Sequence, residues 1–324
     1  MLASSFLIVP SAIAALQQLA KAHRHRFHIP VVGITGSNGK TVVKEWTAQL
    51  LAGQMHVTRS PKSYNSQVGV PLSLWLINQQ SDIAIIEAGI SEPGEMQKLN
   101  ETIEPTIAVL TNIGAAHQKH FQSVKQKYAE KLLLAKGAQT VVYCMDDEQV
   151  EQTLNEMHFA GERITWSFVS PQASLCVRNI AKGETATTIN YTWCSQDAQF
   201  EIPFIDDASI QNATIVALLA LHLGLTTRQI AERMAHLEPI AMRLEVKEGQ
   251  NLCTLINDSY NSDINSLDIA LDFMARRPDH EGRRRTLILS DLLQTGVPPE
   301  QLYSSVAELL HRRAIDKFIG IGRY

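Results

Sequence analysis

A glycine-rich segment between an apolar run and a helical pattern sets the strongest limit on how this chain can fold. The segment GITGSNGKT covers Gly33 to Thr41 and follows an apolar pair of valines. A strand, a glycine loop and a helix in this order form the usual context of a phosphate-binding loop. The order therefore predicts an α/β fold whose ligand lies at the carboxyl end of the strands.

The residues of this loop have the chemistry that phosphate binding needs. Backbone N–H groups and a helix N-terminus attract phosphate, a lysine reaches the β- and γ-phosphates, and a hydroxyl can ligate magnesium. The spacing differs from GxxxxGK[ST], since Ile34 stands where its first glycine would be. A plain strand-to-helix turn with an incidental lysine is the alternative, but it does not explain so many matching residues. The nominated nucleotide-binding residues are Gly36, Ser37, Asn38, Gly39, Lys40 and Thr41.

Four apolar runs alternate with helical stretches between residues 30 and 145. They read VVGITG, DIAIIEAGI, TIAVLTNIG and TVVYCM. Continuous apolar runs suit parallel strands that are covered on both faces and joined by crossover helices. The pattern predicts a P-loop ATPase domain with a doubly wound, mostly parallel sheet. Shorter β-rich pieces with turns at 182–183 and 196–197 predict flanking hairpins, followed by a helix at about 209–223.

The chain divides into three predicted parts. Residues 28–237 form the central domain, and the sequence HLEPIA at 236–241 is typical of a linker. A strand, helix, strand, helix, strand series then predicts a second, Rossmann-like α/β domain over 238–324. Residues 1–27 predict a short strand and a helix. Their polar interruptions and lack of a basic start argue against an export signal.

Composition excludes several classes of function. The 29 basic and 33 acidic residues give a net charge of −4, so no broad basic surface is available for nucleic acid. The four cysteines are scattered, without the spacing of a disulfide framework or zinc site. We therefore expect a cytoplasmic protein without membrane insertion, which holds any anionic ligand locally.

Two polar residues follow neighbouring predicted strands. Glu87 ends DIAIIE and His117 follows TNIGAA, so both could point towards the phosphate loop. Carboxylate and imidazole groups there would suit magnesium. Each has a structural alternative, an N-cap or surface acid for Glu87 and a satisfied polar residue for His117. The phosphate loop nearby favours the metal.

A lysine interrupts an apolar helical stripe. In the helix predicted over 124–137, Lys131 lies between Tyr128 and Leu132, and Ala135 completes the stripe. A buried lysine needs a partner or a modification. The alternative is a side chain whose ammonium extends along the surface to water.

These motifs resemble the Mur ligase family. TGSNGKT at 35–41 is similar to the nucleotide loop of Mur ligases and folylpolyglutamate synthetases, although Val42 replaces a frequent second threonine. EAGISEPGE at 87–95 and TNIGAAH at 111–117 resemble the acidic and histidine motifs of the MurF branch. The resemblance implies magnesium ligands at Thr41, Glu87 and His117. It also places Lys131, 14 residues after His117, where many Mur ligases carry a carbamylated lysine, an anion able to bind a second magnesium.

Further motifs resemble substrate and adenosine contacts. SYNSQVGVPLSLW at 63–75 resembles the segment that contacts the muramoyl peptide, which nominates Tyr64 and Asn65, although Asn65 could also be a turn residue. SIQNATIVALLALHLG at 209–224 nominates Asn212 for adenine, with a structural role at the helix N-terminus as the alternative. MRLE and NDSYNSDINS nominate Arg243 and Asp258 for the nucleotide, although Met242 replaces the usual glycine.

The resemblance implies a cytoplasmic, ATP- and Mg²⁺-dependent amide ligase. Its substrates would be UDP-N-acetylmuramoyl-tripeptide and D-alanyl-D-alanine, joined through an acyl phosphate. The wording is most similar to MurF sequences fused to an alanine racemase. Residues 1–27 would then be a remnant of the UDP-substrate domain and 238–324 a truncated C-terminal domain, so this fragment is expected to bind ATP weakly without ligating. The alternatives are a folylpolyglutamate synthetase-like ligase and a nucleotide-binding regulatory module without turnover.

Overall fold

A nine-stranded sheet forms the centre of the part of the chain that the structure describes. The computed structural model describes residues 8–114, 121–259, 264–276, 284–292 and 297–323. The strand order is β2-β3-β1-β4-β5-β6-β7-β8-β9. The strands are β1 (Val31–Thr35), β2 (Val57–Arg59), β3 (Ile83–Glu87), β4 (Ile107–Leu110), β5 (Thr140–Cys144), β6 (Glu162–Ser167), β7 (Leu175–Lys182), β8 (Thr187–Trp193) and β9 (Gln196–Ile202).

The sheet is parallel from β2 to β7, and β8 and β9 add antiparallel strands. Gly33 of β1 pairs with Ile86 of β3 on one side and with Ala108 of β4 on the other. The carboxyl ends of these three strands therefore lie side by side. Strands β2 and β3 lie on one side of β1, and β4 and β5 lie on the other. Such a reversal of strand order marks a ligand-binding switch point. The predicted α/β fold with a doubly wound, mostly parallel sheet is confirmed.

Helices cover both faces of the parallel strands, and every residue of β1 and β3 is buried. Trp46 and Leu50 belong to the largest core cluster, together with Ile215 of an almost wholly buried helix. Such burial on all sides explains why that helix lacks a polar stripe. The helices are α1 (Ala12–Arg24), α2 (Lys40–Leu51), α3 (Gly69–Leu74), α4 (Glu95–Ile103), α5 (Val124–Leu132), α6 (Glu148–Glu156), α7 (Asp207–His222) and α8 (Thr227–Met234).

Two local predictions were wrong. The second hairpin turns at Cys194 and Ser195, with φ angles of 48° and 61°, and not at 196–197, because Gln196 already pairs with Trp193. Two left-handed residues match the twist of the flanking strands. Helix α5 also ends earlier than predicted. It passes at Leu133 into a 3-10 turn, and Gly137 takes a φ of 83°.

The C-terminal part begins with an unpredicted hairpin. β10 (Glu245–Glu248) pairs with β11 (Thr254–Asn257), so the predicted series missed one strand. The parallel pair formed by β12 (Thr286–Ser290) and β13 (Lys317–Ile321) follows the predicted alternation. The helices here are α9 (Ile264–Arg276) and α10 (Pro299–Arg312).

The segment at 237–241 has no regular structure, as expected for a linker, yet it is attached to α2. Trp46 Nε1 donates to Glu238 O at 2.9 Å, and Glu238 N donates to Gln49 Oε1 at the same distance. The domain boundaries at 27 and 237 stay predictions. Among the described helices, none combines the length and apolarity needed to cross a membrane.

Candidate nucleotide-binding and active site

The loop between β1 and α2 has a shape that only glycine can provide at two positions. Gly36 has a φ of 147° and Gly39 a φ of 82°. A Cβ at Gly36 would lie 1.9 Å from Thr111 Oγ1, and one at Gly39 would lie 2.3 Å from Asn212 Oδ1. The loop is thus packed between the end of β4 and helix α7, which explains its glycines.

An asparagine after β4 holds the loop from one side. Asn112 O accepts from Ser37 N at 2.7 Å, and Asn112 Oδ1 accepts from Asn38 N at 2.9 Å. Gly114 N donates to Ser37 Oγ at 2.9 Å. The N–H groups of Ser37 and Asn38, predicted to face phosphate, are therefore bonded to Asn112 in this structure. Asn112 was not among the predicted site residues, although its place in TNIG after a predicted strand was a usable signal.

Lys40 begins α2 and folds back over the loop. Its ammonium donates to Gly36 O at 2.9 Å and to Ser37 O at 3.0 Å, and the side chain is half-buried. The two carbonyl groups position a positive charge at the helix N-terminus. This is the place where a bound polyphosphate would need one.

A buried carboxylate lies beside the loop. Thr41 Oγ1 lies 3.2 Å from Oε1 and 3.1 Å from Oε2 of Glu87, and Asn65 Nδ2 donates to Oε1 at 2.9 Å. Ser63 Oγ is 3.0 Å from Thr41 Oγ1. Glu87 is only 1% exposed, so the surface-acid alternative is wrong, and its position at the end of β3 excludes an N-cap. Because Asn65 donates to Glu87, the role of Asn65 is not limited to forming a turn.

A fully buried lysine that the sequence analysis missed also faces this carboxylate. Lys44 Nζ lies 3.6 Å from Glu87 Oε2 and donates to Ser60 O at 2.8 Å. Ser60 Oγ in turn accepts from Glu87 N at 3.1 Å. Lys44 lies one turn after Lys40 on α2, so helical spacing from the GKT sequence could have found it.

Lys131 is buried and its ammonium does not reach water. It is 3% exposed and donates to Gly36 O at 3.1 Å, so the surface-extended alternative is wrong. Burial, together with the nearby ammonium groups of Lys40 and Lys127, holds the pKa of Lys131 well below its usual range. Lys127, also overlooked, is 1% exposed and donates to Gly114 O.

The donor set around the loop fits magnesium in part. A threonine hydroxyl and a buried carboxylate are hard oxygen ligands of the kind that Mg²⁺ prefers. Thr41 and Glu87 are in contact, whereas Lys131 in its present form is a nitrogen donor and would need an added carboxylate. His117 lies outside the described residues. Within the described ranges, no three His, Cys, Asp or Glu side chains form a metal-binding group.

The other nominated residues fall into two places. The Asn212 carboxamide lies against Gly39, and α7 is capped by Asp206, so Asn212 is not an N-terminal cap. Tyr64 is 44% exposed, and its backbone packs so closely on Gly69 that a Cβ there would lie 2.8 Å from Tyr64 C. Asn212 therefore lies against the phosphate loop, and Tyr64 lies in the segment at 63–75.

Arg243 and Asp258 flank the separate β10–β11 hairpin. Asp258 Oδ1 accepts from Leu244 N at 3.2 Å, which joins the MRLE and NDSYNSDINS motifs. Met242 and Leu244 have φ angles of 57° and 49°. The left-handed backbone at Met242 explains why the resemblance leads one to expect glycine there.

A glycine loop after β1, a lysine on the following helix and a buried acid on the adjacent strand define a P-loop nucleotide-binding α/β protein. Residues 34–220, more than half of the chain, match the family described as Mur ligase middle domain. This chain belongs to the Mur ligase family.

The relatives and solved structures that resemble this chain include several ligases of the MurF type. The chain is 28% identical over 323 residues to the UDP-N-acetylmuramoyl-tripeptide–D-alanyl-D-alanine ligase of Escherichia coli, covering 98% of this chain and 70% of the relative. The Bacillus subtilis ligase of the same name is 26% identical, with 98% and 68% covered. The MurF ligase of Thermotoga maritima in complex with ADP superposes with a TM-score of 0.85 at 20% identity, over 99% and 73% of the two chains.

Proposed function

We propose that this protein is an ATP-dependent amide ligase of the MurF type, which adds D-alanyl-D-alanine to UDP-N-acetylmuramoyl-tripeptide. The names of the bacterial relatives, aligned along 98% of the chain, support this assignment. One structural observation carries the proposal. The Thr41, Glu87 and Asn65 side chains are in hydrogen-bonding contact, which joins the phosphate loop, a strand end and the candidate substrate segment.

The reaction needs a phosphoryl transfer followed by an acyl transfer. The terminal carboxylate of the tripeptide attacks the γ-phosphorus of ATP, forming an acyl phosphate and releasing ADP. The amine of D-alanyl-D-alanine then attacks the acyl carbon, forming the amide, releasing phosphate and losing a proton. Lys40 lies where it would offset the charge on the transferred phosphoryl group. Positioning and electrostatics supply most of the catalysis in such transfers.

We assign roles to the nominated residues on this basis. The loop from Gly36 to Thr41 would hold the phosphates, and Asn212, which lies against Gly39, would meet the adenine. Arg243 and Asp258 would contact the nucleotide from the C-terminal part. Tyr64 and Asn65 would contact the muramoyl peptide.

Magnesium would be held by Thr41, Glu87 and His117, and a carbamate on Lys131 would bind a second magnesium ion. Magnesium, when bound, offsets negative charge on the phosphates. A neutral Lys131 amine can add carbon dioxide to give a carbamate and release one proton, and its lowered pKa favours the neutral form. The product would replace a buried amine by an anionic oxygen ligand. The contact between Thr41 and Glu87 supports the first part of this ligand set.

Three wider assignments complete the proposal. A cytoplasmic location is supported by the four cysteines, all of which are free thiols. Residues 28–237 would form the ATP-binding domain, and 238–324 part of the C-terminal domain. An alanine racemase fused to the ligase stays a prediction, which sequencing the gene beyond codon 324 would test.

Phosphate release by the complete protein tests the function. We expect release with ATP only when both the muramoyl tripeptide and D-alanyl-D-alanine are present, with the amide product seen by mass spectrometry. Release with a folate and glutamate would instead identify a folylpolyglutamate synthetase-like ligase. Nucleotide binding without release in either mixture would identify a regulatory module.

A further inference from the structure

We propose that Lys44 is a positioning residue that fixes the acceptor-binding segment at 63–75 relative to the phosphate loop. The inference rests on the proposed function and adds a residue to it. Lys44 touches neither the expected nucleotide position nor the expected acceptor in our assignment. It acts through the backbone that leads into the segment.

The ammonium of Lys44 connects three parts of the site. Lys44 belongs to α2, which begins at Lys40, and its side chain is fully buried. The ammonium donates to Ser60 O at 2.8 Å and closely to Lys62 O. It also lies 3.1 Å from Glu45 Oε1 of the same helix and 3.6 Å from Glu87 Oε2. One cation therefore links the phosphate-loop helix, the end of β3 and the chain at 60–62.

The chain leaves the sheet at 60–62. Ser60 N still donates to Ile85 O of β3 at 3.1 Å, but Lys62 lies beyond the β2–β3 ladder. This segment follows the short edge strand β2 and forms turns up to α3. Lys62 has a φ of 50°, a left-handed conformation that is unfavourable for a residue with a side chain. The Lys44 ammonium bonds the carbonyl oxygen of this same residue, which stabilises the turn in that conformation.

The turn places two polar side chains in contact with Thr41 and Glu87. Directly after Lys62, Ser63 Oγ lies 3.0 Å from Thr41 Oγ1, and Asn65 Nδ2 donates to Glu87 Oε1 at 2.9 Å. A shift of the turn would move both contacts together. Displacements of about 1 Å in such a site can cost ~10²-fold in rate. Lys44 thus sets the geometry between the two substrates.

A purely structural lysine would have a different signature. Buried ammonium groups are costly unless they are paired, so removal of Lys44 should lower stability in either case. A structural role alone predicts an equal effect on both substrates. A positioning role predicts a selective effect on the acceptor, because α2 and the glycine loop keep their other supports.

The test compares Lys44→Met and Lys44→Arg in the intact protein, with Lys125→Met as the matched control. Lys125 is an exposed lysine of α5 that pairs with Glu156 at 2.7 Å. For Lys44→Met we expect kcat/KM for the muramoyl tripeptide to fall by ~10- to 100-fold. The ADP dissociation constant, measured by calorimetry without magnesium, should change less than about threefold, which is under 1 kcal/mol.

Lys44→Arg keeps the charge, but its planar group does not fit a compact buried ammonium site. We expect an intermediate, acceptor-selective loss, and this variant carries the test if Lys44→Met does not fold. Lys125→Met should behave like the unmodified protein. An unchanged acceptor kcat/KM in a folded Lys44 variant, or an equal loss for both substrates, would overturn the inference. Inactivity of the unmodified protein with the acceptor would instead refute the proposed function.

Discussion

Lys131 Nζ lies 3.1 Å from Gly36 O, although the two residues are 95 positions apart in the chain. The contact directs a buried amine from α5 to the first glycine of the phosphate loop. Lys40 bonds the same carbonyl oxygen, at 2.9 Å. Two lysine side chains thus meet at one backbone oxygen, and the charge of Lys40 adds to burial in lowering the pKa of Lys131.

The stability of the protein should depend on pH through Lys131. The pKa of Lys131 is lowered in the folded protein, mainly by burial, and has its ordinary value of about 10.4 in the unfolded chain. At a pH between these two pKa values, Lys131 is protonated in the unfolded chain and neutral in the folded protein. The free energy of unfolding therefore rises with pH in this range. Lys131→Met lacks this contribution.

Urea unfolding of both proteins between pH 7 and 11 in buffer free of carbon dioxide measures this difference. The unfolding free energy of the unmodified protein should rise relative to that of Lys131→Met and level off above about pH 10.4. Parallel curves for the two proteins would contradict the lowered pKa.

Carbamylation of Lys131 gives a second prediction. Lys131→Ala should lose ligase activity, and short-chain carboxylic acids should restore part of it, because they can replace the missing anion in the space left by the side chain. Lys125→Ala is the control, since Lys125 lies on the same helix, is exposed and pairs with Glu156. It should keep activity and show no response to the acids. Equal stimulation of both variants would argue against a carbamate, as would a free Lys131 amine in a ¹³CO₂ NMR experiment.

Lys40→Ala should reduce ATP turnover by at least ~10²-fold, as expected when one donor to a developing negative charge is removed. Because Lys40 is only half-buried and bonds carbonyl groups of its own loop, the fold should persist. Phosphate release and thermal unfolding measure the two effects separately. Turnover equal to that of the unmodified protein would remove the loop lysine from the mechanism.

Gly39→Ala should weaken nucleotide binding as well as stability. The alanine would have to adopt the backbone φ of 82° found at Gly39. Its Cβ would lie 2.3 Å from Asn212 Oδ1, so the loop or the asparagine would have to move. Gly53→Ala is the matched control, since Gly53 has a φ of 77° but no atom within 4 Å of the added Cβ. Both substitutions should cost ~1–2 kcal/mol of stability through backbone strain. Only Gly39→Ala should raise the ADP dissociation constant, and equal affinities would contradict the packing of Asn212 on the loop.

Sequence patterns nominated most residues of the candidate site, because such patterns report local chemistry. The apolar runs predicted β1, β3 and β4, and their polar ends identified Glu87. The same patterns missed Lys44 and Lys127, because a lysine on a helix usually reaches water and only packing reveals that it does not. They also missed the β10–β11 hairpin, whose two strands are four residues each and carry little periodic signal.

The sequence by itself determined the class of fold and the phosphate loop, since glycines, apolar periodicity and the GKT motif act over a few neighbouring residues. Tertiary structure decided the rest of the site. Only folding brings Asn65 to Glu87, Asn112 to the loop amides and Lys131 to Gly36, residues separated by 22 to 95 positions. The physical reason is burial. Which lysines lose water, and which oxygen atoms replace it, depends on contacts between elements that no single segment specifies.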